Sequence, residues 1–147
     1  ACLLVMTERM SRHEIIRKIP HRTQKAVTRA LGKLEREHNS IFNTMKTITC
    51  DNGSEFLDPE AIERSVLSNK KRCDTFFAHP YTASERGSNE NANRIVRRFI
   101  PKGADISRYS TAQVQHVEDW INSLPRKLLN GLSADEKVQL YFKEKAA

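Results

Sequence analysis

Two carboxylates, Asp51 and Glu90, stand in the segments of this 147-residue chain best suited to chemistry. Asp51 opens Asp51-Asn52-Gly53-Ser54-Glu55-Phe56, directly after the β-rich run from Met45 to Cys50. That puts it at the carboxyl end of a buried strand, where open α/β sheets place their ligand sites. A tight Asn-Gly turn there would hold the carboxylate rigid, as a metal ligand requires. The plainer reading is a turn signal and nothing more. Glu90 lies in Arg86-Gly87-Ser88-Asn89-Glu90-Asn91-Ala92-Asn93, in the first turn of a predicted helix. A carboxylate there stabilises the positive helix end by about 0.3–1 kcal/mol, whatever else it does. Arg94 and Arg97 follow four and seven residues later and share its helical face. Arg98 adjoins them, and Ile95 with Phe99 forms a separate apolar stripe. One acid among several arginines suits a carboxylate that binds a cation beside guanidinium groups that bind phosphates. A solvated basic face with intrahelical ion pairs is the plain alternative.

Other reactive residue types show no pattern. His79 stands before Pro80 at a strand end, where it could contact a site or cap the loop. His13, His21, His38 and His116 lack ligand spacing. Cys50 adjoins Asp51 but reads as a buried strand residue. Ser54, Ser84 and Ser88 have no nucleophile-elbow context, and no glycine-rich phosphate loop occurs. Serine hydrolases, Walker-type nucleotidases and dinucleotide enzymes are therefore excluded as readings. Trp120 falls at helical spacing with Val117 and Leu124 and is assigned to the core.

Composition narrows the class further. The length predicts one domain with a core of its own. Hydrophobic residues make up 38% and charged residues 29%, with 5 Gly and 5 Pro, which excludes collagen and whole-chain disorder. The longest apolar run, Ala1 to Met6, is far short of the about 20 residues of a membrane span. It also has no basic residues before it, so it does not read as a signal peptide. Three cysteines without C-x-x-C spacing argue against a disulfide framework or structural zinc and fit a reducing compartment. Lys and Arg number 25 against 18 acids, a net charge of +7, which favours a polyanionic partner.

The elements that must position these residues follow from periodicity. Residues 2–8 and 12–19 read as two strands of a hairpin. Thr23 caps a helix over about 23–38, with Ala26, Val27, Ala30, Leu31 and Leu34 as its apolar stripe. A strand over 45–50 is followed by a short helix over 58–67, the basic loop 69–72 and a strand over 74–78. Helices then follow from Ser88 to about Ile100, from Ser110 to Pro125, and from the capping box at Ser133 to about 144. The alternation predicts an α/β sheet with helices on both faces, in a single domain over 1–147.

Several of these segments resemble a known family. Thr47-Ile48-Thr49-Cys50-Asp51-Asn52-Gly53-Ser54-Glu55-Phe56 is similar to the second-aspartate segment of DDE transposases, which have a retroviral-integrase-type core. The stretch from His79-Pro80-Tyr81 through Glu90 to Arg97-Arg98-Phe99-Ile100-Pro101-Lys102-Gly103 resembles the glutamate segment of one branch, the insertion-sequence-thirty family. The opening residues 4–12 and Pro125-Arg126-Lys127 resemble it too. The resemblance implies a ribonuclease-H-like fold with a mixed central sheet. It implies metal-dependent DNA strand cleavage and strand transfer, with two Mg²⁺ (or Mn²⁺) ions, in such sites roughly 3.5–4 Å apart. Asp51 matches the second aspartate and Glu90 the glutamate, so both are expected as catalytic metal ligands. Arg86 and Arg97 match flanking basic positions. DNA contacts are expected at Arg86, Arg94, Arg97, Arg98, Lys102 and the loop residues Lys70, Lys71 and Arg72. The implied partners are transposon ends and target DNA, with a homo-oligomer and a bacterial, nucleoid-associated cytoplasmic setting.

Departures from the family pattern set further expectations. No residue matches the family's first aspartate, whose central strand lies before the hairpin. The first core strand is thus expected to be absent, leaving residues 2–8 with an unpaired edge that strand exchange or dimerisation would cover. Ser84 stands where many relatives have Trp, and Ala83 where many have Tyr. A non-enzymatic DNA-binding remnant of a transposase is the alternative, distinguished by whether Asp51 and Glu90 serve a metal.

Overall fold

In the computed structural model the described residues are 1–38, 44–78 and 87–146. The apolar runs at the start of the chain form β1 (Cys2–Thr7) and β2 (Glu14–Ile19), which pair as a two-stranded sheet. Glu8 holds their connection. Its N–H donates to the His13 carbonyl at 2.8 Å, and its carboxylate accepts from the N–H groups of Met10 and Ser11. The Glu8 carboxylate is thus occupied within the loop.

Helix α1 (Gln24–Glu37) starts as predicted, with Thr23 Oγ1 accepting from Ala26 N–H at 3.2 Å. It buries Val27, Leu31 and Leu34. Strands β3 (Thr47–Cys50) and β4 (Asp74–Phe77) pair in parallel, Cys50 opposite Phe77. Between them α2 spans only Pro59–Glu63, capped by Asp58. The expected helix to residue 67 is cut short by tertiary bonds, since Val66 N–H and the Ser65 hydroxyl both donate to Glu35 of α1.

Helix α3 (Gly87–Val96) is also shorter than the expected run to Ile100. Its end tightens, with Arg98 N–H bonding back three residues to Ile95 at 3.0 Å instead of four. Helix α4 (Thr111–Ser123) opens on a capping box between Ser110 and Gln113. Helix α5 (Ala134–Ala146) opens on the expected box between Ser133 and Glu136.

Of the described residues, 1–2, 19–38 and 44–78 form one compact unit, and 3–18 and 87–146 another. In the first, α1 packs against the 3₁₀ turn Ser54–Phe56 and against α2, and α2 against β4. In the second, Ile16, Val96, Ile100, Val114, Val117 and Ile121 make the core. Trp120 packs edge-on to Phe99 with ring centroids 4.7 Å apart, the core role expected of it.

The protein is mixed α/β, as expected, but the expected single central sheet is not what forms among the described residues. The strands pair as β1 with β2 and β3 with β4, in two separate sheets, with no described strand bridging them. The outer edge of β2 is closed by side chains of α4. Ile16 N–H donates to Glu118 Oε2 at 2.6 Å and Glu14 N–H to Asn122 Oδ1 at 2.8 Å. Asn122 returns a bond to the Glu14 carbonyl at 2.9 Å. A strand edge thereby has its polar groups satisfied by a helix.

Candidate functional site

Asp51 follows the last residue of β3, the strand-end position expected of it. It is half-buried, and its Oδ1 accepts from Gly53 N–H at 2.9 Å. Neighbouring bonds fix the segment. Asn52 Nδ2 donates across to the Ala78 carbonyl just past β4, at 3.2 Å, and Ala78 N–H donates to the Cys50 carbonyl at 2.8 Å. Gln24 Nε2 at the start of α1 reaches the Ser54 carbonyl at 3.1 Å. The Asn-Gly step is not the left-handed hairpin turn that such a pair usually signals. Gly53 has φ −64° and ψ 144°, ordinary extended backbone, and leads into the 3₁₀ turn Ser54–Phe56.

Glu55 is the residue that the reading of the sequence passed over. Its side chain is only 9% exposed, and Arg22 Nε donates to its Oε1 at 2.7 Å. Its Oε2 is buried and has no hydrogen-bond partner. A Cβ on Gly53 would stand 2.6 Å from that oxygen and 2.9 Å from Asp51 Oδ1. A side chain here would push the Glu55 and Asp51 carboxylates aside, although the backbone torsions would suit any residue. The only signal in the sequence was the i, i+4 spacing of two acids around a glycine, which is common in surface turns.

Cys50 is buried, and burial with the Asp51 charge nearby and Cys73 pushes its thiol up to about 12. It stays a neutral core side chain, so the donors here are oxygens. A hard divalent cation such as Mg²⁺ takes carboxylate oxygen and keeps several waters. Asp51 and the unsatisfied Glu55 oxygen are donors of that kind. Among the described residues no group of three or more His, Cys, Asp and Glu gathers into a ready-made metal cage.

Glu90 is exposed in the first turn of α3, and Arg94, four residues on, is exposed too. Arg94 Nη2 donates to Asn91 Oδ1 at 2.8 Å. Arg97 keeps the helical bond to the Asn93 carbonyl at 3.1 Å, and Arg97, Arg98 and Lys102 are all exposed. They remain a basic surface able to meet phosphates. His79 and Arg86 lie outside the described residues.

The basic loop needs a correction. Lys70 is exposed, and Lys71 is exposed but paired with Glu63 at 3.0 Å and Asp74 at 3.5 Å. Arg72 is buried, with its Nε on the Ile62 carbonyl, Nη2 on the Ala61 carbonyl and Nη1 on Glu35 at 3.1 Å. Its fork is consumed inside the first unit, so Arg72 is a core residue and is not available to DNA. Charge density in sequence could not distinguish it from its neighbours, because the partner Glu35 lies on a different element.

No family model matches the chain. Individual relatives do. The transposase for insertion sequence element IS4351 of Bacteroides fragilis is 39% identical over 99 residues, covering 67% of this chain and 29% of that protein. The transposase for IS1086 of Cupriavidus metallidurans is 33% identical over 127 residues, 86% of this chain and 35% of that one. The transposase InsI for IS30C of Escherichia coli is 26% identical over 137 residues, 93% and 34% respectively. The chain thus spans about a third of the length of the curated relatives it matches. Among the described residues, no helix is long and apolar enough to cross a membrane. The sequence is that of a relative of the insertion-sequence transposases, those of IS30 elements included.

Proposed function

We propose that this chain is a segment of a DDE-type transposase catalytic core, a single integrase-type domain of ribonuclease-H-like fold over 1–147, acting on transposon ends and target DNA. The observation that carries this reading is the relationship to insertion-sequence transposases along most of the chain. The strand-end position of Asp51 supports it. Asp51 and Glu90 are two of the carboxylates that would hold Mg²⁺ or Mn²⁺. When bound, such ions activate an oxygen nucleophile and stabilise the leaving oxygen of a phosphodiester.

The chain's own residues supply position and charge. Asn52, Gly53 and Gln24 hold the Asp51 segment against the ends of β3 and β4. Arg94, Arg97, Arg98 and Lys102 bind backbone phosphates, with Lys70 as a further contact. Such contacts fix register without reading sequence. Water would be the nucleophile for cleavage and a freed 3′-hydroxyl for strand transfer. The active species is a homo-oligomer of the longer protein in the bacterial cytoplasm, at the nucleoid.

Fluorescence anisotropy of a labelled duplex, with and without Mn²⁺, tests this. The expected result is salt-sensitive binding, tightened several-fold by Mn²⁺, with Asp51→Asn removing only the metal-dependent part. Binding indifferent to Mn²⁺ and to Asp51→Asn would overturn the enzymatic reading in favour of a DNA-binding remnant. An absence of DNA binding would overturn both.

A further inference from the structure

We propose that the basic face of helix α1 is a second surface for the DNA backbone, with Lys25, Arg29 and Arg36 as phosphate contacts along the cleft between α1 and the α2 segment. This rests on the reading of DNA as the partner. It adds residues that lie outside the Asp51 segment and outside the basic face of α3.

Three observations converge. First, the three cations form a row. At 3.6 residues per turn they fall within about 40° of one another, over about 16 Å of helix. All three are exposed, and the buried Val27, Leu31 and Leu34 take the opposite face. Second, the acids that could neutralise the row are committed elsewhere. The first turn of α1 has none. Glu35 is buried against Arg72, and Glu37 faces Lys33 at 3.8 Å. Lys25, Arg29 and Arg36 make no ion pair among the described residues. Third, the row borders a cleft of about 520 Å³. Its far side is held in place by Glu35, which accepts from Val66 N–H at 3.0 Å and from the Ser65 hydroxyl. Gly32 lies between Arg29 and Arg36 in the row, and Val66 is seated against it. A Cβ on Gly32 would stand 3.0 Å from Val66 Cγ1. Glycine inside a helix is destabilising relative to alanine, and here it admits the Val66 side chain close to the helix backbone. Asp58 also borders the cleft, but its carboxylate is used in capping α2, accepting from Ala61 N–H at 3.1 Å. The occupant is inferred from the length and sign of the row. A duplex carries one negative charge per about 1.7 Å of its axis, so an extended polyanion can engage the whole row and release its counterions. The two guanidinium groups offer the forked donors that suit phosphate oxygens.

The test is fluorescence anisotropy of a labelled duplex titrated with the full chain at several salt concentrations. It compares wild type, the triple variant Lys25→Ala with Arg29→Ala and Arg36→Ala, and a control triple on α5, Lys137→Ala with Lys143→Ala and Lys145→Ala. Both triples remove the same net charge, and alanine is a strong helix former at each position. The α1 triple should raise Kd at least about tenfold at fixed salt and reduce the salt slope by about 2–3. The α5 triple should raise Kd by less than about threefold, as loss of net charge alone would. If the two triples weaken binding alike, or the α1 triple binds like wild type, the α1 surface is overturned and DNA binding through α3 stands. If wild type does not bind the duplex, both are overturned. If the α1 triple loses binding to a labelled polyglutamate peptide and keeps that to the duplex, the cleft takes an acidic protein segment and the proposal is overturned. Amide spectra without DNA show whether each variant is folded. Should the α1 triple not fold, Arg29→Gln against Lys143→Gln decides the question, with a fall in salt slope of about 1 expected for the first alone.

Discussion

Asn122 completes the edge of β2 as a neighbouring strand would, accepting from Glu14 N–H at 2.8 Å and donating to the Glu14 carbonyl at 2.9 Å. Both residues are almost fully buried. No water can replace these bonds cheaply, so Asn122→Ala should cost about 1–3 kcal/mol. Urea unfolding should show a lower midpoint at unchanged slope. An unchanged midpoint would mean that β2 finds its partners elsewhere.

Glu14 should also make stability depend on pH. Burial raises its carboxyl to about 7, against the bond from the Thr7 hydroxyl and the charges of Arg126 and Arg12, with Glu118 pushing the same way as burial. The folded state therefore holds this proton more tightly than the unfolded chain does. Its contribution is fully present below the unfolded value of 4.5 and is lost as pH rises through about 7. Glu14→Gln, which cannot ionise, should remove that dependence. The stability of wild type relative to Glu14→Gln should fall by on the order of 3 kcal/mol between pH 4 and 8. Parallel profiles for the two proteins would contradict the assignment.

Arg72 and Lys70 should separate stability from DNA binding. Arg72→Met leaves Glu35 buried without its cation and should cost about 3–5 kcal/mol. The double substitution Glu35→Leu with Arg72→Met should recover part of that loss. Lys70→Ala should shift stability by less than about 0.5 kcal/mol and weaken DNA binding. Thermal melts and anisotropy on the same variants check this. A stable Arg72→Met with weakened DNA binding would restore Arg72 to the interface.

Arg97→Ala should weaken binding to all duplex sequences alike and reduce the salt slope of binding by about 1. Competition between unrelated duplexes measures it. Loss of affinity for one sequence only would make Arg97 a base-reading residue.

Local signals were legible because their causes are local. Thr23, Ser110 and Ser133 cap helices where hydroxyl residues precede an apolar stripe. Asp51 ends β3 because the β-rich run stops at a polar turn. What could not be read depends on partners distant in sequence. Glu35 withdraws Ser65, Val66 and Arg72 from the roles their neighbourhoods suggest. Glu118 and Asn122 look like polar surface positions of α4 but serve β2, more than a hundred residues earlier. The division of the strands into two sheets is likewise a matter of pairing, which strand propensity does not fix. At the candidate site, what sets Glu55 apart is its burial, its ion pair with Arg22 and its unsatisfied Oε2, and none of these is written in residue types.

The most direct test of a metal-holding role for both acids is Mn²⁺-induced amide broadening on wild type, Asp51→Asn and Glu90→Gln. In wild type the amides of Asn52–Phe56 and of Asn91–Arg94 should broaden over the same range of Mn²⁺ concentration. Either substitution should shift both sets to higher concentration together. Broadening confined to one set, or unaffected by Asp51→Asn, would contradict the assignment of Asp51 and Glu90 to one catalytic metal centre.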